Sequence, residues 1–460
     1  MGWRWAIACA SCMTALFARS LASCDDDPGS TTVPSADASD RADRLAPPSD
    51  ASSDVDTSDT ESGDWVHLPG APGDCQIEVP ATGAALPAPI EWEVCGPEVP
   101  SFAGCRQMKT SWPVSDIPGA PHIVPLARGG WTKAGTPLLM FARAAGHYLY
   151  RLVAEPDGIV KSAFRENGTA HDPSCVLFPY NVDADRLAYV LLEDLVDGGS
   201  RAHDAVFGDL SMRPRVELRE ESTNPVHAGY FASAAGLVRL YGKLTLRDWD
   251  NVDASTFLGP TDEGAPGMIF PQGDAIFWSS GTLAVMKHKV WTRDAGSRDF
   301  LGFGSDTTQG AADLGTDGKD MVWLEGSERA NPSSPFFPKI AIKAAPYTTD
   351  PSTIIPRTLR NDMGPYGFGG TPFVVGCGYA ARPGSPAMLT DGGVPLGIGI
   401  QVVRLSDGYQ ALLPNSTDWS FETPLLATCD ELFVIGSKRT KFDFNILRIP
   451  LASLGPWLAP

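Results

Sequence analysis

The sequence lacks the patterns that identify many soluble enzymes. It contains no H-E-x-x-H zinc signature, no G-x-S-x-G nucleophile elbow and no phosphate-binding loop with a Lys-Ser or Lys-Thr pair. No stretch keeps a helical period over roughly 10 to 15 residues. These observations exclude zinc proteases of that signature, α/β-hydrolases, P-loop enzymes and helical solenoids. They predict no catalytic residue, no metal site and no cofactor.

Positive charge is also scarce. The chain of 460 residues has 36 Lys and Arg against 55 Asp and Glu, and a formal net charge of −19 without a basic patch. Nucleic acid is therefore not an expected partner. The acidic residues are concentrated near the start, with 12 of them against two arginines between Cys24 and Asp64.

Residues 24–64 consist mainly of Ser, Asp, Thr, Ala and Pro, with almost no side chain to bury. Such a segment cannot offset the entropy that it would lose on ordering, so it is predicted to be a disordered tether. Its like charges repel each other and extend it. Similar acidic tethers are found in predicted lipoproteins of myxobacteria, which the segment resembles in style.

Residues 1–23 have the plan of an export signal, with Arg4, an apolar run at 5–17 and then small residues. The stretch Leu21-Ala22-Ser23-Cys24 resembles the bacterial lipobox, in which the cysteine thiol receives a diacylglycerol and becomes the first residue after cleavage. The resemblance implies an exported protein that a lipid on Cys24 anchors to a membrane of the cell envelope. Because Arg19 interrupts the apolar character, a soluble secreted protein cleaved after Ala22 and an uncleaved anchor remain open.

Six cysteines remain beyond Cys24, an even number in a compartment expected to be oxidising, and they predict structural disulfides. Six cysteines allow many pairings, and the sequence does not choose among them. The first three are expected to staple a segment at 65–129, which would add a closing strand, a cap or an extra blade. The disulfide candidates are Cys75, Cys95, Cys105, Cys175, Cys377 and Cys429.

A pattern repeats through residues 130–460. TPLLMFARAAGHYLYRLV, TPFVVGCGYAARPG and TPLLATCDELFVIGSK each begin with Thr-Pro and three apolar residues and continue through a short turn, and four looser copies lie between them. Cys377 and Cys429 occupy the same position of the last two copies. Seven hairpin-like copies at spacings of roughly 40 to 60 residues predict an all-β fold, a single β-propeller of about seven blades, with six or eight left open.

The turns in VDADRLAYV, TDGKDMVWLE and QGDAIFW resemble the blade hairpins of TolB-like and WD-repeat-like propellers. That resemblance implies a binding or scaffolding module, because TolB-like members act through protein contacts. The expected partner is an envelope protein or a glycan. A propeller enzyme, hydrolase or lyase, with its site in the central channel is one alternative, and a glycan-binding surface protein is another. A fold alone does not choose between them.

Two acidic clusters are interpreted as turns, since neither has the spacing of a calcium-binding EF-hand loop. They are Asp248, Asp250 and Asp253, and Asp313, Asp317 and Asp320. His288 lies in an alternating strand and is expected on a solvated face. Trp278 and Trp323 hold equivalent places in their hairpins and are predicted to pack between blades, with ligand stacking as the alternative.

Overall fold

The computed structural model describes most of the chain from Asp64 to its C-terminus. The described residues are 64–71, 75–109, 128–145, 148–167, 175–194, 201–210, 215–222, 229–241, 243–249, 255–260, 269–280, 287–302, 309–328, 336–337, 339–361, 366–367, 372–384, 398–416, 418–438 and 443–460. The predicted signal, Cys24 and nearly all of the predicted tether lie outside them. None of the helical turns in these ranges is long and apolar enough to cross a membrane.

Short antiparallel strands make up the fold, and most of them form meanders of consecutive strands. Meander 1 contains β5 (Arg128–Trp131), β6 (Pro137–Ala145), β7 (Tyr148–Ala154) and β8 (Val160–Asn167); meander 2 contains β9 (Cys175–Asp183), β10 (Arg186–Asp194), β11 (Arg201–Asp209) and β12 (Arg215–Ser222). Meander 3 contains β13 (Gly229–Ala232), β14 (Leu237–Tyr241), β15 (Lys243–Arg247) and β16 (Ser255–Pro260); meander 4 contains β17 (Ile269–Gln272), β18 (Ala275–Ser280), β19 (Lys287–Thr292) and β20 (Gly296–Leu301).

The later meanders follow the same plan with two additions. Meander 5 contains β21 (Gly310–Thr316), β22 (Asp320–Ser327), β24 (Lys339–Pro346) and β25 (Arg357–Arg360), while β23 (Phe336–Phe337) pairs with β26 (Tyr366–Gly367). Meander 6 contains β27 (Val374–Gly376), β28 (Tyr379–Pro383), β29 (Ile398–Arg404) and β30 (Gln410–Pro414); meander 7 begins with β31 (Trp419–Ala427), β32 (Glu431–Lys438) and β33 (Asp443–Pro450). Two 3₁₀ turns, Pro351–Thr353 and Leu451–Ser453, are described.

The N-terminal strands attach to the outer edges of meanders 1 and 7. They are β1 (Trp65–His67), β2 (Ile77–Pro80), β3 (Trp92–Val94) and β4 (Arg106–Met108). β2 pairs with β8, and β1 pairs with β2. β4 pairs with the C-terminal strand β33, and β3 pairs with β4, so meander 7 is completed by strands from the other end of the chain. A ring that joins its two termini in one sheet has no open strand edge at the junction.

Hydrophobic clusters join most pairs of neighbouring meanders. Separate clusters of buried residues lie between meanders 1 and 2, 3 and 4, 4 and 5, 5 and 6, and 6 and 7. Another cluster packs Leu139 and Phe141 of meander 1 against Leu425, Phe433 and further residues of meander 7. The last meander therefore packs on the first. The predicted all-β propeller is confirmed; about seven blades stays a prediction, with which the seven meanders of the described residues agree.

Burial on both faces explains the apolar runs of the repeat. In β6, Leu138 and Met140 pack into the cluster shared with meander 2, whereas Leu139 and Phe141 pack into the cluster shared with meander 7. A strand whose two faces are both covered reads as a continuous apolar run rather than as an alternation. The run PLLMF is thus the mark of a strand between two neighbouring sheets.

The first strand of each meander is the innermost one. At Gly129 of β5, an added Cβ would collide with the carbonyl oxygen of Leu425 in β31. At Gly130, it would collide with the carbonyl oxygen of Val182 in β9. The backbones of these first strands approach each other too closely for any side chain, as expected where strands converge on the axis of a propeller.

Two disulfides have both partners among the described residues. Cys95 bonds to Cys105 beside the β3–β4 hairpin, and Cys377 bonds to Cys429 between meanders 6 and 7. The prediction of disulfides is confirmed for these pairs, and they are compatible with the predicted export. Cys75 is also disulfide-bonded, and the side chain of Cys175 lies outside the described part.

Candidate functional site at the hairpin face

The turns between the first and second strands of the meanders share one end of the ring. β5 and β9 run parallel where Trp131 meets Asp183, so their following turns lie at the same end. We call this end the hairpin face. Its turns comprise residues 132–136, 184–185, 233–236, 273–274, 317–319, 377–378 and 428–430.

The turns are tight because their residues adopt left-handed backbone conformations. Ala184 and Asp185 have φ values of 48° and 67°, and Cys377 and Gly378 have 47° and 81°. Two consecutive residues with positive φ are typical of the two-residue hairpin whose twist matches its strands. The short loops hold the turn residues close to the ends of the innermost strands.

Neighbouring turns are tied to each other around the ring. The side-chain amide of Asn181 donates to the Ala232 carbonyl at 2.8 Å, and the Ala232 N–H donates to Asn181 Oδ1 at 2.8 Å. The Ala234 N–H donates to the Gly273 carbonyl at 3.2 Å. The Cys377–Cys429 disulfide joins the turns of meanders 6 and 7. The hairpin face is therefore held by covalent and hydrogen-bonded links between separate sheets.

Asp183 is the buried acid of this face. It is the last residue of β9 and is 6% exposed, and its Oδ2 has no hydrogen-bond partner among the described residues. The pKa of its carboxyl is raised to about 7, mainly by burial and in smaller part by the charge of nearby Asp274. The backbone amides of Ala234, Gly273 and Ala184 act in the opposite direction. Turns from meanders 2, 3 and 4 thus converge on one carboxyl group.

Tyr347 belongs to the same surroundings. It follows β24 of meander 5 and is half-buried, with its ring 6.3 Å from that of Phe277. The pKa of its hydroxyl is raised to about 12, mainly by burial and in smaller part by the charges of Asp183 and Asp274. The Tyr347 hydroxyl, which is neutral at physiological pH, is therefore within electrostatic range of both carboxyl groups. Such a set can donate and accept hydrogen bonds and attract a cation.

A second group of buried charges lies between meander 1 and the N-terminal strands. Arg151 Nε donates to Glu166 at 3.1 Å, and Arg165 Nε donates to Glu78 at 2.6 Å. The Arg165 guanidinium also lies between the rings of Trp65 and Tyr148, 4.6 Å and 4.3 Å from their centres. Since Trp65 and Glu78 belong to β1 and β2, this group fastens the start of the folded chain to meander 1.

The acidic clusters of the sequence occupy different places. Asp317 and Asp320 flank the hairpin turn after β21, as predicted, and the backbone N–H groups of residues 319 and 320 donate to Asp317 Oδ1. Asp313 is a correction, because it lies inside β21 at a bulge, 1% exposed and with φ 55°. The bulge turns its carboxyl toward Arg382, 3.5 Å away, instead of toward solvent. Asp248 is exposed after β15, and Asp250 and Asp253 lie outside the described residues.

His288 is a second correction. The alternating pattern predicted a solvated face, but the residue is 1% exposed because both faces of meander 4 are covered by neighbouring sheets. Neither ring nitrogen has a hydrogen-bond partner among the described residues, and burial lowers the pKa of the imidazole to about 4. The ring is neutral at physiological pH.

Trp278 and Trp323 pack as predicted. Both are 2% exposed, Trp278 in the cluster between meanders 3 and 4 and Trp323 in the cluster between meanders 4 and 5. Their burial excludes the alternative of ligand stacking. In the described ranges, no group of three or more His, Cys, Asp or Glu residues could hold a metal ion.

Sequence reasoning did not single out Asp183 or Tyr347. Asp183 opens the turn VDAD, which looks like every other hairpin turn of the repeat. Its burial depends on the turns of meanders 3 and 4, which are distant in sequence. The available signal was only that an acid stands at the end of an innermost strand.

Comparison with known proteins gives limited likeness. No family model matches the chain, and no curated protein matches it. A prolyl endopeptidase structure is 17% identical with a TM-score of 0.30, over 73% of this chain and 42% of that chain. The β-propeller domain of the Trilobed protease from Pyrococcus furiosus is 8% identical with a TM-score of 0.37, over 72% and 98%. Virginiamycin B lyase from Staphylococcus aureus is 8% identical with a TM-score of 0.36, over 71% and 97%.

The chain thus spans less than half of the endopeptidase chain. The propeller architecture of this protein follows from its own strand order and from the packing of its last meander on its first.

Proposed function

We propose that the chain is an exported lipoprotein of the bacterial envelope, anchored by a lipid on Cys24, whose propeller binds or scaffolds another envelope component. The observation that carries the binding role is the linked hairpin face. There the Cys377–Cys429 disulfide and the two hydrogen bonds between Asn181 and Ala232 hold separate sheets together. A preorganised surface loses little conformational freedom when a partner binds, which favours affinity.

A crosslinked pull-down from native envelope tests the proposal. The tagged chain with Cys24 intact is compared with Cys24→Ala, and the mass of each mature chain shows whether a diacylglycerol is present. We expect a stoichiometric protein partner with the lipidated chain and its loss or strong reduction with Cys24→Ala. If neither chain recovers a specific partner, the scaffolding role is contradicted.

Variants of the hairpin face sharpen this test. Asp185→Arg with Asp274→Arg reverses two charges at the turns of meanders 2 and 4. Asp299→Arg reverses a charge on the outer strand β20, where the side chain is 70% exposed, and serves as the matched control. We expect the double variant to lose the partner and the control to keep it. The opposite result would place the binding surface elsewhere on the ring.

A propeller enzyme is the second candidate. The observation that favours it is the Asp183 carboxyl, whose pKa of about 7 suits a general acid or base at neutral pH, near the Tyr347 hydroxyl. An activity screen with hydrolase and lyase substrates would support this candidate if a rate was found that inflects near pH 7 and disappears in Asp183→Asn.

The glycan-binding alternative receives less support. Sugar surfaces use grouped exposed aromatic side chains. Each tryptophan of the described residues is buried or half-buried, and the exposed aromatic residues Phe257 and Tyr409 lie on different meanders, 3 and 6. We therefore rank a protein partner ahead of a glycan.

A further inference from the structure

The two described disulfides have different surroundings. Cys95 and Cys105 pack into the hydrophobic cluster between meanders 6 and 7, and Cys105 is 4% exposed. Cys377 and Cys429 are both exposed, because they lie in the tight turns of the hairpin face. Exposed disulfides are the ones that thiols in solution attack and open most readily. The Cys377–Cys429 bond is therefore the more accessible of the two to a reductant.

Each of the two turns that this bond joins is also held by its own sheet. In meander 6, the Leu405 N–H donates to the Gly378 carbonyl at 2.8 Å. In meander 7, the Thr428 N–H donates to the Glu431 carbonyl at 2.9 Å, and the Glu431 N–H donates to Thr428 Oγ1 at 3.0 Å. These hydrogen bonds do not involve the sulfur atoms, so they persist when the disulfide opens.

The interface between meanders 6 and 7 is also held without the disulfide. Its hydrophobic cluster contains Ile400 and Val402 of meander 6 and Val434 of meander 7, each fully buried. The innermost strands of the two meanders approach so closely that a Cβ added at Gly376 would collide with the Ala427 carbonyl oxygen. Opening the disulfide would leave this packing in place, because none of it passes through the sulfur atoms.

We propose that the Cys377–Cys429 disulfide is a thiol–disulfide exchange site, which a dithiol reductant opens, releasing the two turns from each other while the ring stays folded. A thiolate of the reductant attacks one sulfur of the bond, and the other cysteine leaves as a thiolate. The second thiolate of the reductant then attacks the mixed disulfide, forms the reductant's own disulfide and releases the first cysteine. Two electrons and two protons thus pass from the dithiol to the cysteine pair.

The opened bond changes one part of the hairpin face. The turns at 377–378 and 428–430 lose their covalent link, whereas the hydrogen bonds between Asn181 and Ala232 on the other side of the face remain. The exchange reaction itself does not rest on the proposed binding function. Its effect falls on the same surface, so a reductant would alter the rigidity of that surface.

Graded reduction of the folded full chain tests the accessibility of the bond. The chain is incubated with dithiothreitol at pH 8 without denaturant, free thiols are trapped with N-ethylmaleimide at successive times, and the labelled peptides are quantified by mass spectrometry. Cys95 and Cys105 are the matched control pair in the same molecule. We expect labelling of Cys377 and Cys429 to be faster by about tenfold or more. Equal rates for the two pairs, or faster labelling of the control pair, would overturn the proposal.

The fold of the reduced chain is measured next. After reduction and alkylation of Cys377 and Cys429, thermal unfolding should keep one cooperative transition at a lower Tm, because the unfolded chain has gained freedom. Amide hydrogen exchange should become faster at 377–378 and 428–430 and stay unchanged in the β3–β4 hairpin. Loss of the cooperative transition, or unchanged exchange at the two turns, would overturn the proposal.

Two double variants assign the reaction to its bond. Cys377→Ser with Cys429→Ser should abolish the fast phase of labelling, whereas Cys95→Ser with Cys105→Ser should keep it. A fast phase that persists in the first variant would overturn the proposal. If that variant fails to fold, the labelling of individual peptides in the unchanged chain still decides, because it compares both bonds within one molecule.

Discussion

Burial of His288 between neighbouring sheets changes the pKa of its imidazole. The imidazole has a pKa of about 4 in the folded chain and about 6.5 when exposed. Because the folded-state pKa is depressed, the unfolded chain takes up the proton first as the pH falls. The stability that the neutral ring supplies is complete above pH 6.5 and is lost between pH 6.5 and pH 4.

We therefore expect the free energy of unfolding to fall by up to about 3 kcal/mol through His288 over that range. His288→Leu should remove this part of the acid sensitivity. Urea denaturation at pH 7.5, 5.5 and 4.0, on both chains, measures it. Parallel pH dependence in the two chains would contradict the burial of a neutral imidazole.

Asp183 has the opposite dependence. Its folded-state pKa of about 7 exceeds the ordinary value of 3.8, so the folded chain keeps a proton that the unfolded chain has already released. Stability is complete below about pH 4 and declines as the pH rises toward 7. An ionised carboxylate buried without a cation is the physical cause.

Asp183→Asn should therefore stabilise the chain at pH 8, by up to about 4 kcal/mol, and leave it almost unchanged at pH 4. Thermal unfolding at the two pH values measures this difference. A less stable variant at pH 8 would mean that the carboxylate is well paired. A residue that lowers stability in the free protein is typical of a binding site.

At the scale of elements, the disulfides differ in what they join. Cys95 and Cys105 close a loop of 10 residues beside one hairpin, whereas Cys377 and Cys429 are 52 residues apart and link two meanders. Loop-closure entropy in the unfolded chain grows with loop length. The longer loop should therefore contribute more stability.

We expect Cys377→Ser with Cys429→Ser to lower the free energy of unfolding by about 4 kcal/mol, and Cys95→Ser with Cys105→Ser by about 3 kcal/mol. Guanidinium denaturation of the two double variants against the parent chain checks the order. A larger loss for the shorter loop would show that packing in the folded chain, rather than loop entropy in the unfolded chain, determines the loss of stability.

A separate prediction concerns the close approach of the innermost strands. Gly130→Ala places a Cβ against the Val182 carbonyl, so β5 and β9 must move apart, and we expect Tm to fall by several degrees. Gly259→Ala in β16 meets only Trp278 at 3.5 Å, an ordinary contact, and is the control. Thermal unfolding compares them, and equal Tm values would contradict convergence of the first strands.

The hairpins could be predicted from the sequence, whereas the short N-terminal strands that pair with the outer edge of meander 7 could not. VDADRLAYV and TDGKDMVWLE combine turn residues with flanking apolar runs, and both are hairpins in the structure. Strands such as β3 and β4 have three residues each, which is too short for a readable alternation. Their place in meander 7 depends on pairing with β33, which is far away in the chain.

The candidate site was hidden for the same reason. The sequence places an acid at the end of β9, but two of the backbone amides that face its carboxyl come from turns in meanders 3 and 4, which are distant in the chain. The bulge that carries Asp313 into the interior was equally unreadable, because TDGKD marked the nearby turn and suggested one continuous loop.

At the scale of the whole molecule, closure of the ring makes the hairpin face a single surface. Meander 7 is completed by β4 and β3, and its inner strands pack on meander 1. The N-terminal strands therefore hold together the two sheets at which the chain begins and ends. Without them, the outer edge of β33 would be exposed and the junction would have fewer bonds to resist opening.

The most direct test is thermal unfolding of two shortened chains, one beginning at Asp64 and one beginning at Arg128. The first keeps all four N-terminal strands and should unfold in one cooperative transition at the Tm of the longer chain. The second lacks β1 to β4 and should lose cooperativity or fall in Tm by about 10 °C or more, since the loss of four paired strands costs several kcal/mol and a large domain loses about 2–4 °C per kcal/mol. Equal Tm values for the two chains would contradict a ring closed by its N-terminal strands.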